Sequence, residues 1–327
     1  MLSFAVASVV LLAAMPTRAA EALPAPGFHH LHLNSTDPRA AADFYAREFL
    51  KTSRTVWNGM TGIATPNDVM VLFNKVANPP VNDPQATAYW HFGWHVTDER
   101  SALATYLGRA EVRLAPLYTT DEGGSVLVSS DSWPGTGGIL GLSAAQIADA
   151  RARGVKPMGG AGFAYMRGPD GSLIEYQGDM PQNRFNHVHM YQEDPFCAQL
   201  WYRDHLNARL PPNAVPKTQA DCKVPRGPDR SWPALEREGM FRTPTAGVLF
   251  GDVSMNWYMR QTDTPLQPTR GRLMDHVALS VANLDAWAAK LRGEGVMFLE
   301  QPHRLGTTRA FMIEGPSREA IEIVEVK

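Results

Sequence analysis

His30-Leu-His-Leu-Asn-Ser-Thr-Asp-Pro-Arg-Ala-Ala-Ala-Asp-Phe-Tyr45 lies without a gap over His187-Val-His-Met-Tyr-Gln-Glu-Asp-Pro-Phe-Cys-Ala-Gln-Leu-Trp-Tyr202. His30 meets His187, His32 meets His189, Asp37-Pro38 meets Asp194-Pro195, and Tyr45 meets Tyr202. Each stretch reads as a short alternating strand, then an Asp-Pro pair that caps and opens a helix whose aromatic residues turn inward. The same grammar returns at His91-Phe-Gly-Trp-His-Val-Thr-Asp98 and at His276-Val-Ala-Leu-Ser-Val-Ala-Asn283, each followed by a helical stretch that ends near a glycine. Four strand-helix modules therefore begin at His30, His91, His187 and His276, and self-similarity of this kind marks a fold assembled from repeats.

The repeat continues at the ends of the second and fourth modules. Gly168-Pro-Asp-Gly-Ser-Leu-Ile-Glu175 aligns with Gly315-Pro-Ser-Arg-Glu-Ala-Ile-Glu322. Gly-Pro starts a turn, and Ile-Glu on a strand puts each carboxylate on the face opposite its isoleucine. Modules one and three end instead in the apolar strands Val69 to Phe73 and Val253 to Tyr258, so the acid occurs once per pair of modules. The polar, turn-rich stretch 178–183 reads as the linker between halves, with one pair of modules in 27–180 and the other in 184–327. Two inserts swell the pattern: 115–160, with a helix near Ser143 to Gly154, and the Pro-rich excursion 207–240.

Alternation along a strand puts residues i and i+2 on one face. His30 then points with His32, His187 with His189, and His91 with His95. Eight of the ten histidines fall on or beside these four strand starts. One histidine on an apolar strand is usually a hydrogen-bonded core residue, but equivalent histidines in four repeats call for a shared purpose. Around the second strand, the same alternation assigns Trp90, Phe92 and Trp94 to the core, away from His91, and leaves Tyr89 on the face of the histidines.

A strand-starting His, then Asp-Pro-helix-Phe-Tyr, then Gly-Pro-Asp-Gly-x-x-Ile-Glu resembles the vicinal-oxygen-chelate superfamily of glyoxalases, bleomycin-resistance proteins and type I extradiol dioxygenases. The resemblance covers nearly the whole chain after residue 22. It implies an α+β fold of four βαβββ modules paired into two cup-shaped, glyoxalase-like half-barrels. It also implies a divalent metal held by the first-strand His of each module and the last-strand Glu of the second. Carried over, the first cup takes His30, His91 and Glu175, and the second takes His187, His276 and Glu322. Two imidazoles and one carboxylate on one face of an ion are the set associated with non-haem Fe(II) oxygenases, so Fe(II) is the first expectation; Zn, Mn, Ni or Co suit the same ligands. The open positions would let a small molecule with two adjacent oxygens chelate the ion.

In extradiol enzymes of similar layout a tyrosine stands ten residues before the ligand glutamate. Here Tyr165 stands ten before Glu175, whereas Met312 holds the matching place before Glu322. The acid-base histidine of that family is missing, with Ala77 and Thr262 in its places; His32, His95 and His189 are the candidate substitutes, since imidazole titrates near neutral pH. Glyoxalase-type sites usually add a fourth ligand from the first module's last strand, and Val69 to Phe73 offers none. The resemblance thus implies an extradiol-like dioxygenase ahead of a glyoxalase-like lyase or isomerase. The remaining alternative is a binding protein of bleomycin-resistance type that sequesters a small molecule.

Composition narrows the partner. Charged residues are 20% of the chain and the net charge is −2, so no basic surface points to nucleic acid and a small-molecule substrate is expected. Residues 1–22, apolar or small from Phe4 to Met15 apart from Ser8 and ending in small residues, read as a signal peptide cleaved after Ala19 or Ala22. The run is too short to span a bilayer. That reading places the protein in the periplasm or outside the cell, free of the membrane once the signal is cut. Fe(II) is hard to keep reduced there, which favours a redox-inert ion. In an oxidising compartment Cys197 and Cys222 either close a disulfide that pins the second excursion or remain two unrelated buried thiols.

Overall fold

A computed structural model describes residues 23–83, 86–120, 124–131, 144–225, 242–260 and 264–326; the expected signal peptide, 1–22, lies outside them. Module 1 runs β1 (Gly27–Ser35), α1 (Pro38–Glu48), β2 (Ser53–Trp57), β3 (Met60–Ala64), β4 (Met70–Lys75). Module 2 runs β5 (Tyr89–His95), α2 (Glu99–Leu107), β6 (Arg113–Ala115), then an insert with the hairpin β7 (Leu117–Thr120) and β8 (Gly124–Val126) and helix α3 (Ala144–Ala152), and returns in β9 (Phe163–Arg167) and β10 (Leu173–Gln177). Module 3 comprises β11 (Arg184–Gln192), α4 (Pro195–Leu206), β12 (Arg242–Phe250) and β13 (Val253–Met259) among the described residues. Module 4 comprises β14 (Met274–Val281), α5 (Leu284–Gly293), β15 (Phe298–Leu305), β16 (Thr308–Glu314) and β17 (Ala320–Glu325).

The caps read from sequence start the helices. Asp37, Asp98 and Asn283 each accept a hydrogen bond from the backbone N–H three residues on, at 3.1, 2.9 and 3.0 Å. Each such cap contributes about 1 kcal/mol. Asp194 occupies the equivalent place before α4 without a side-chain cap bond.

The modules pair differently from the expected order. One mixed sheet runs β15-β16-β17-β14-β1-β4-β3-β2 and the other β12-β13-β11-β5-β10-β9-β6. Module 1 therefore shares a sheet with module 4, and module 2 with module 3, through the antiparallel pairs β1–β14 and β5–β11. The division into 27–180 and 184–327 does not separate the sheets. The physical reason lies in the connections. Residues 178–183 are short enough to join neighbours in one sheet. The longer connections after β4 and β13 run side by side, bridged at Val81–Arg272 and Thr87–Gln267, as they carry the chain from one sheet to the other. Polarity marks a linker but not which two surfaces it joins.

A single apolar core joins the two sheets and contains Leu31, Leu33, Phe92, Trp94, Val188, Met190, Val277 and Leu279, while the histidines occupy the opposite faces. Phe28 and Phe185, equivalent residues of β1 and β11, stack at 5.5 Å. Matched polar pins tie each helix to a turn of the other sheet: Tyr45 to Ser172 and Tyr202 to Glu319, both at 2.7 Å. Cys197 on α4 is disulfide-bonded to Cys222, anchoring the start of the Pro-rich excursion. Among the described residues no helix is long and apolar enough to cross a membrane.

Candidate functional site

The sheet order β11-β5-β10 brings three strands of modules 2 and 3 together. His187 and His189 stand on β11, His91 on β5 and Glu175 on β10. Glu175 lies 3.1 Å from His91 Nε2, 3.7 Å from His187 Nε2 and 3.9 Å from His189 Nδ1. One donor atom from each of the four lies within 4.8 Å of the others, and all four residues are buried. Two donors that both stand about 2.0–2.2 Å from one ion are roughly 3.0–4.3 Å apart, so these spacings match a shared metal. Gly93 makes the convergence sterically feasible. It sits opposite both His187 and Glu175, and a Cβ there would fall 2.0 Å from the His187 ring.

A second cluster occupies the sheet of modules 1 and 4. Donor atoms of His30, His32 and His276 lie within 4.8 Å of one another. Glu322 Oε2 is 3.4 Å from His30 Nε2 and 4.0 Å from His276 Nε2. Both clusters thus contain three histidines and one glutamate.

β-Bulges shape both clusters at equivalent places. On β1 and β11 the extra residues are His29 and Asn186; on β5 and β14 they are Trp90 and Asp275. A bulge turns its extra residue onto a face that strict alternation would deny it. Three of these residues hold the Nδ1 of the adjoining histidine: His29 at 2.8 Å from His30, Asn186 at 2.9 Å from His187, Asp275 at 2.7 Å from His276. That contact leaves Nε2 directed at the cluster. Trp90 packs on His91 instead, with ring centroids 4.4 Å apart.

The electrostatics fit a cation. His30 Nε2, His187 Nε2, His276 Nε2, His32 Nδ1, His189 Nδ1 and Glu322 Oε2 are buried without a hydrogen-bond partner. Orphaned buried donors and acceptors on this scale are costly, and here they point at two shared places. Burial lowers His91 and His32 to about 3 and holds His30, His187 and His189 well below the usual range, so these rings are neutral and able to coordinate. Burial raises Glu175 and Glu322, partly opposed by His187 and His276 respectively. A dication would supply the charge these carboxylates lack.

The surroundings of the two clusters differ. Trp90, Tyr165, Tyr191, Leu117, Leu173 and Leu266 form an apolar cluster with Tyr258 packed against it. Trp90 stacks on Tyr191 at 5.3 Å and meets Tyr258 edge-on at 5.4 Å; Tyr258 is 4.9 Å from His189. Tyr165 lies directly across from Glu175 and donates its hydroxyl to Oε2 at 3.1 Å. Burial pushes the Tyr165 phenol well above its usual range, so it stays a donor. Around the other cluster stand Trp57, Asp275, Arg270 and Glu300, with Arg270 paired to Glu300 at 3.0 Å.

The expected residues converge, but in exchanged groups. His30 does not meet His91 and Glu175; it meets His276 and Glu322, while His91 and Glu175 meet His187. The exchange follows from the pairing of modules 1 with 4 and 2 with 3. His32 and His189 enter the clusters themselves rather than standing beside them. His95 stays outside, with Nε2 3.2 Å from Gln177. Tyr89 is not a cup residue: its hydroxyl accepts from Val277 N at 3.1 Å and donates to Ala320 O at 3.0 Å, in the core between the sheets. The bulge at Trp90 exchanges the faces of Tyr89 and Trp90, because one extra residue reverses the alternation. Gly93, His29, Asn186 and Asp275 went unread, and Trp90 was assigned to the core. The sole sequence signal for them was position beside a strand-starting histidine.

Residues 184–323 match the model of the Glyoxalase/Bleomycin resistance protein/Dioxygenase superfamily. Modules 3 and 4 therefore carry the sequence pattern of this superfamily. Among solved structures, glyoxalase I from Zea mays is similar at 13% identity and a TM-score of 0.55, over 92% of each chain. A putative dioxygenase from Bacillus subtilis subsp. subtilis str. 168 is similar at 12% identity and a TM-score of 0.54, over 93% of this chain and 86% of that one. At these identities the likeness is one of fold. No curated protein matches the sequence significantly.

Proposed function

We propose that the chain is a divalent-metal-dependent enzyme that takes a small molecule with two adjacent oxygens into the aromatic cup of modules 2 and 3, with chemistry closest to extradiol ring cleavage. The observation that carries this reading is the approach of His91, His187 and Glu175 from three adjacent strands, with Tyr165 and His189 directed at the same point. Two imidazoles and a carboxylate suit Fe(II) and leave positions open. A bound ion would polarise the adjacent oxygens and neutralise charge developing on them.

The chain's own residues do the rest. His91 Nε2, His187 Nε2 and Glu175 would hold the ion. His189, kept neutral by burial, is placed to take a proton from a substrate hydroxyl. Tyr165 keeps its proton and donates it as a hydrogen bond, to Glu175 at rest and to a substrate oxygen when one is present. Trp90, Tyr191 and Tyr258 provide apolar ring surface that orients a planar substrate and excludes water.

A second reading rests on His189 Nδ1, which stands within ligand range. As a fourth protein ligand it would leave two positions of an octahedral ion, enough for a chelating substrate but not for dioxygen as well. That set suits Zn, Mn or Ni and a glyoxalase-like lyase or isomerase. It also suits an exported protein, where a redox-inert ion is easier to retain. A purely binding role, as in bleomycin-resistance proteins, leaves the Tyr165–Glu175 contact without a purpose.

The test loads metal-free protein with Fe(II) under anaerobic conditions, adds a panel of catechols, and follows oxygen uptake and the absorbance of ring-opened product. Uptake matched to catechol loss, abolished by His187→Ala and kept by His276→Ala, is expected; Tyr165→Phe should lower kcat about 100-fold with unchanged metal content. Metal-dependent isomerisation of a hemithioacetal with no oxygen uptake would replace the first reading with the second. Protein whose metal content is unchanged by His187→Ala would remove both. Export is tested by N-terminal sequencing of mature protein, expected to start at Ala20 or Leu23.

A further inference from the structure

We propose that Asp275 makes the cluster of modules 1 and 4 a second metal centre, one that binds its ion more tightly than the aromatic cup does, by bracing the His276 ring. The inference rests on the reading that both clusters bind divalent ions. It concerns what distinguishes them.

Asp275 is the bulged residue of β14, equivalent to Trp90 on β5. Its carboxylate is held at both oxygens. Oδ1 meets His276 Nδ1 at 2.7 Å, while Oδ2 accepts from Gly271 N at 2.6 Å and from Asn34 Nδ2 at 3.3 Å. Its carbonyl accepts from the Thr269 hydroxyl at 2.7 Å. Asn34 is itself fixed, donating to Arg272 O at 2.8 Å and accepting from Asn74 Nδ2 at 2.9 Å. A carboxylate this constrained sets the ring plane of His276 and keeps the proton on Nδ1. The lone pair of Nε2 is then committed to the cluster, where that atom is buried without a partner.

Trp90 has no acceptor to offer. His91 Nδ1 is correspondingly buried without a partner, and nothing braces the ring on the side away from the cluster. Charge adds to the difference. Around modules 1 and 4 the carboxylates of Glu322 and Asp275 together balance a dication, whereas Glu175 alone faces the other cluster. In a buried site an uncompensated charge is expensive. Arg270 approaches Asp275 Oδ1 at 3.5 Å, but Glu300 pairs with it at 3.0 Å and offsets it. Carboxylates that hold the far nitrogen of a metal-bound histidine commonly strengthen binding by 10- to 100-fold.

Titration of the metal-free full-length chain with Co(II), followed by calorimetry and the visible bands of the bound ion, tests the inference. Wild type should bind two ions with dissociation constants at least about tenfold apart. His276→Ala should abolish the tighter event and His187→Ala the weaker. Asp275→Asn should weaken the tighter event by roughly 10- to 100-fold and leave the weaker one unmoved. Asp275→Ser provides the same reading should the Asn variant fail to fold. Loss of the tighter ion in His187→Ala, or equal affinities in wild type that Asp275→Asn does not change, would overturn the inference and leave the metal reading standing. A wild type that binds no Co(II) would overturn both.

Discussion

Substitution of Gly93 probes the aromatic cup with little chemical change. A Cβ at this position would lie 2.0 Å from His187 Cε1 and 2.1 Å from Nε2, where ordinary contact begins at 3.4 Å. The imidazole must retreat by about 1.4 Å, several times the roughly 0.2 Å that a metal–ligand distance tolerates. Asn186 holds the ring at Nδ1 and His189 stacks on it at 3.9 Å, so the retreat breaks both contacts. Gly93→Ala should therefore displace His187, weaken metal binding in the aromatic cup by at least tenfold, and cost about 1–3 kcal/mol of stability through overpacking. Gly93→Val, which extends further across the strand, should remove that ion and leave the centre of modules 1 and 4 loaded. Metal stoichiometry by elemental analysis and unfolding in urea measure the two effects. A Gly93→Val protein that retains both ions at wild-type affinity would refute the packing argument.

Three further outcomes follow from the geometry. Tyr89→Phe removes the hydroxyl that serves Val277 N and Ala320 O, and should destabilise the chain by about 1–3 kcal/mol in urea without altering metal content, since it strips a buried N–H of its acceptor; a loss of metal with unchanged stability would contradict its placement in the core. Replacing Cys197 and Cys222 together by Ser opens a loop of sequence separation 25 and should cost about 3 kcal/mol, read from the shift in the unfolding midpoint. In metal-free protein, His91 and His32 are neutral in the fold down to about pH 3 but protonate near 6.5 once unfolded. The unfolded chain then binds more protons below pH 6.5. The contribution of each ring should be full above that pH and fall by about 1.4 kcal/mol per pH unit as the pH drops toward 3. Glu99 and Glu319, raised to about 7 by burial, act in the opposite sense over this range, so the contribution of a ring is read as the difference between wild type and His91→Gln; an identical pH dependence of the two between pH 7 and 5 would show that His91 is not buried neutral.

The module grammar was legible in sequence because it is local. An alternating strand, an Asp or Asn cap and an amphipathic helix occupy adjacent residues, and each declares itself through its own periodicity. Tyr165 was singled out by the spacing of the family it resembles, and the structure shows why that spacing matters: an antiparallel hairpin turns ten residues into a direct cross-strand pair with Glu175. His30, His91, His187, His276, Glu175 and Glu322 were all identified, because each recurs at an equivalent place in the repeat.

Which of them converge was decided elsewhere. Repeats nearly identical in pattern offer nearly identical edges, so β1 has no local reason to prefer β14 over β5; the lengths and paths of the connections make that choice, and it exists only once both sheets are closed. The faces of Tyr89 and Trp90 were likewise beyond a period-two reading, because a bulge is a property of two paired strands and not of either alone. Sequence determined the modules and the donor residues. Tertiary pairing decided the partners, since strand edges are satisfied across the chain and not along it.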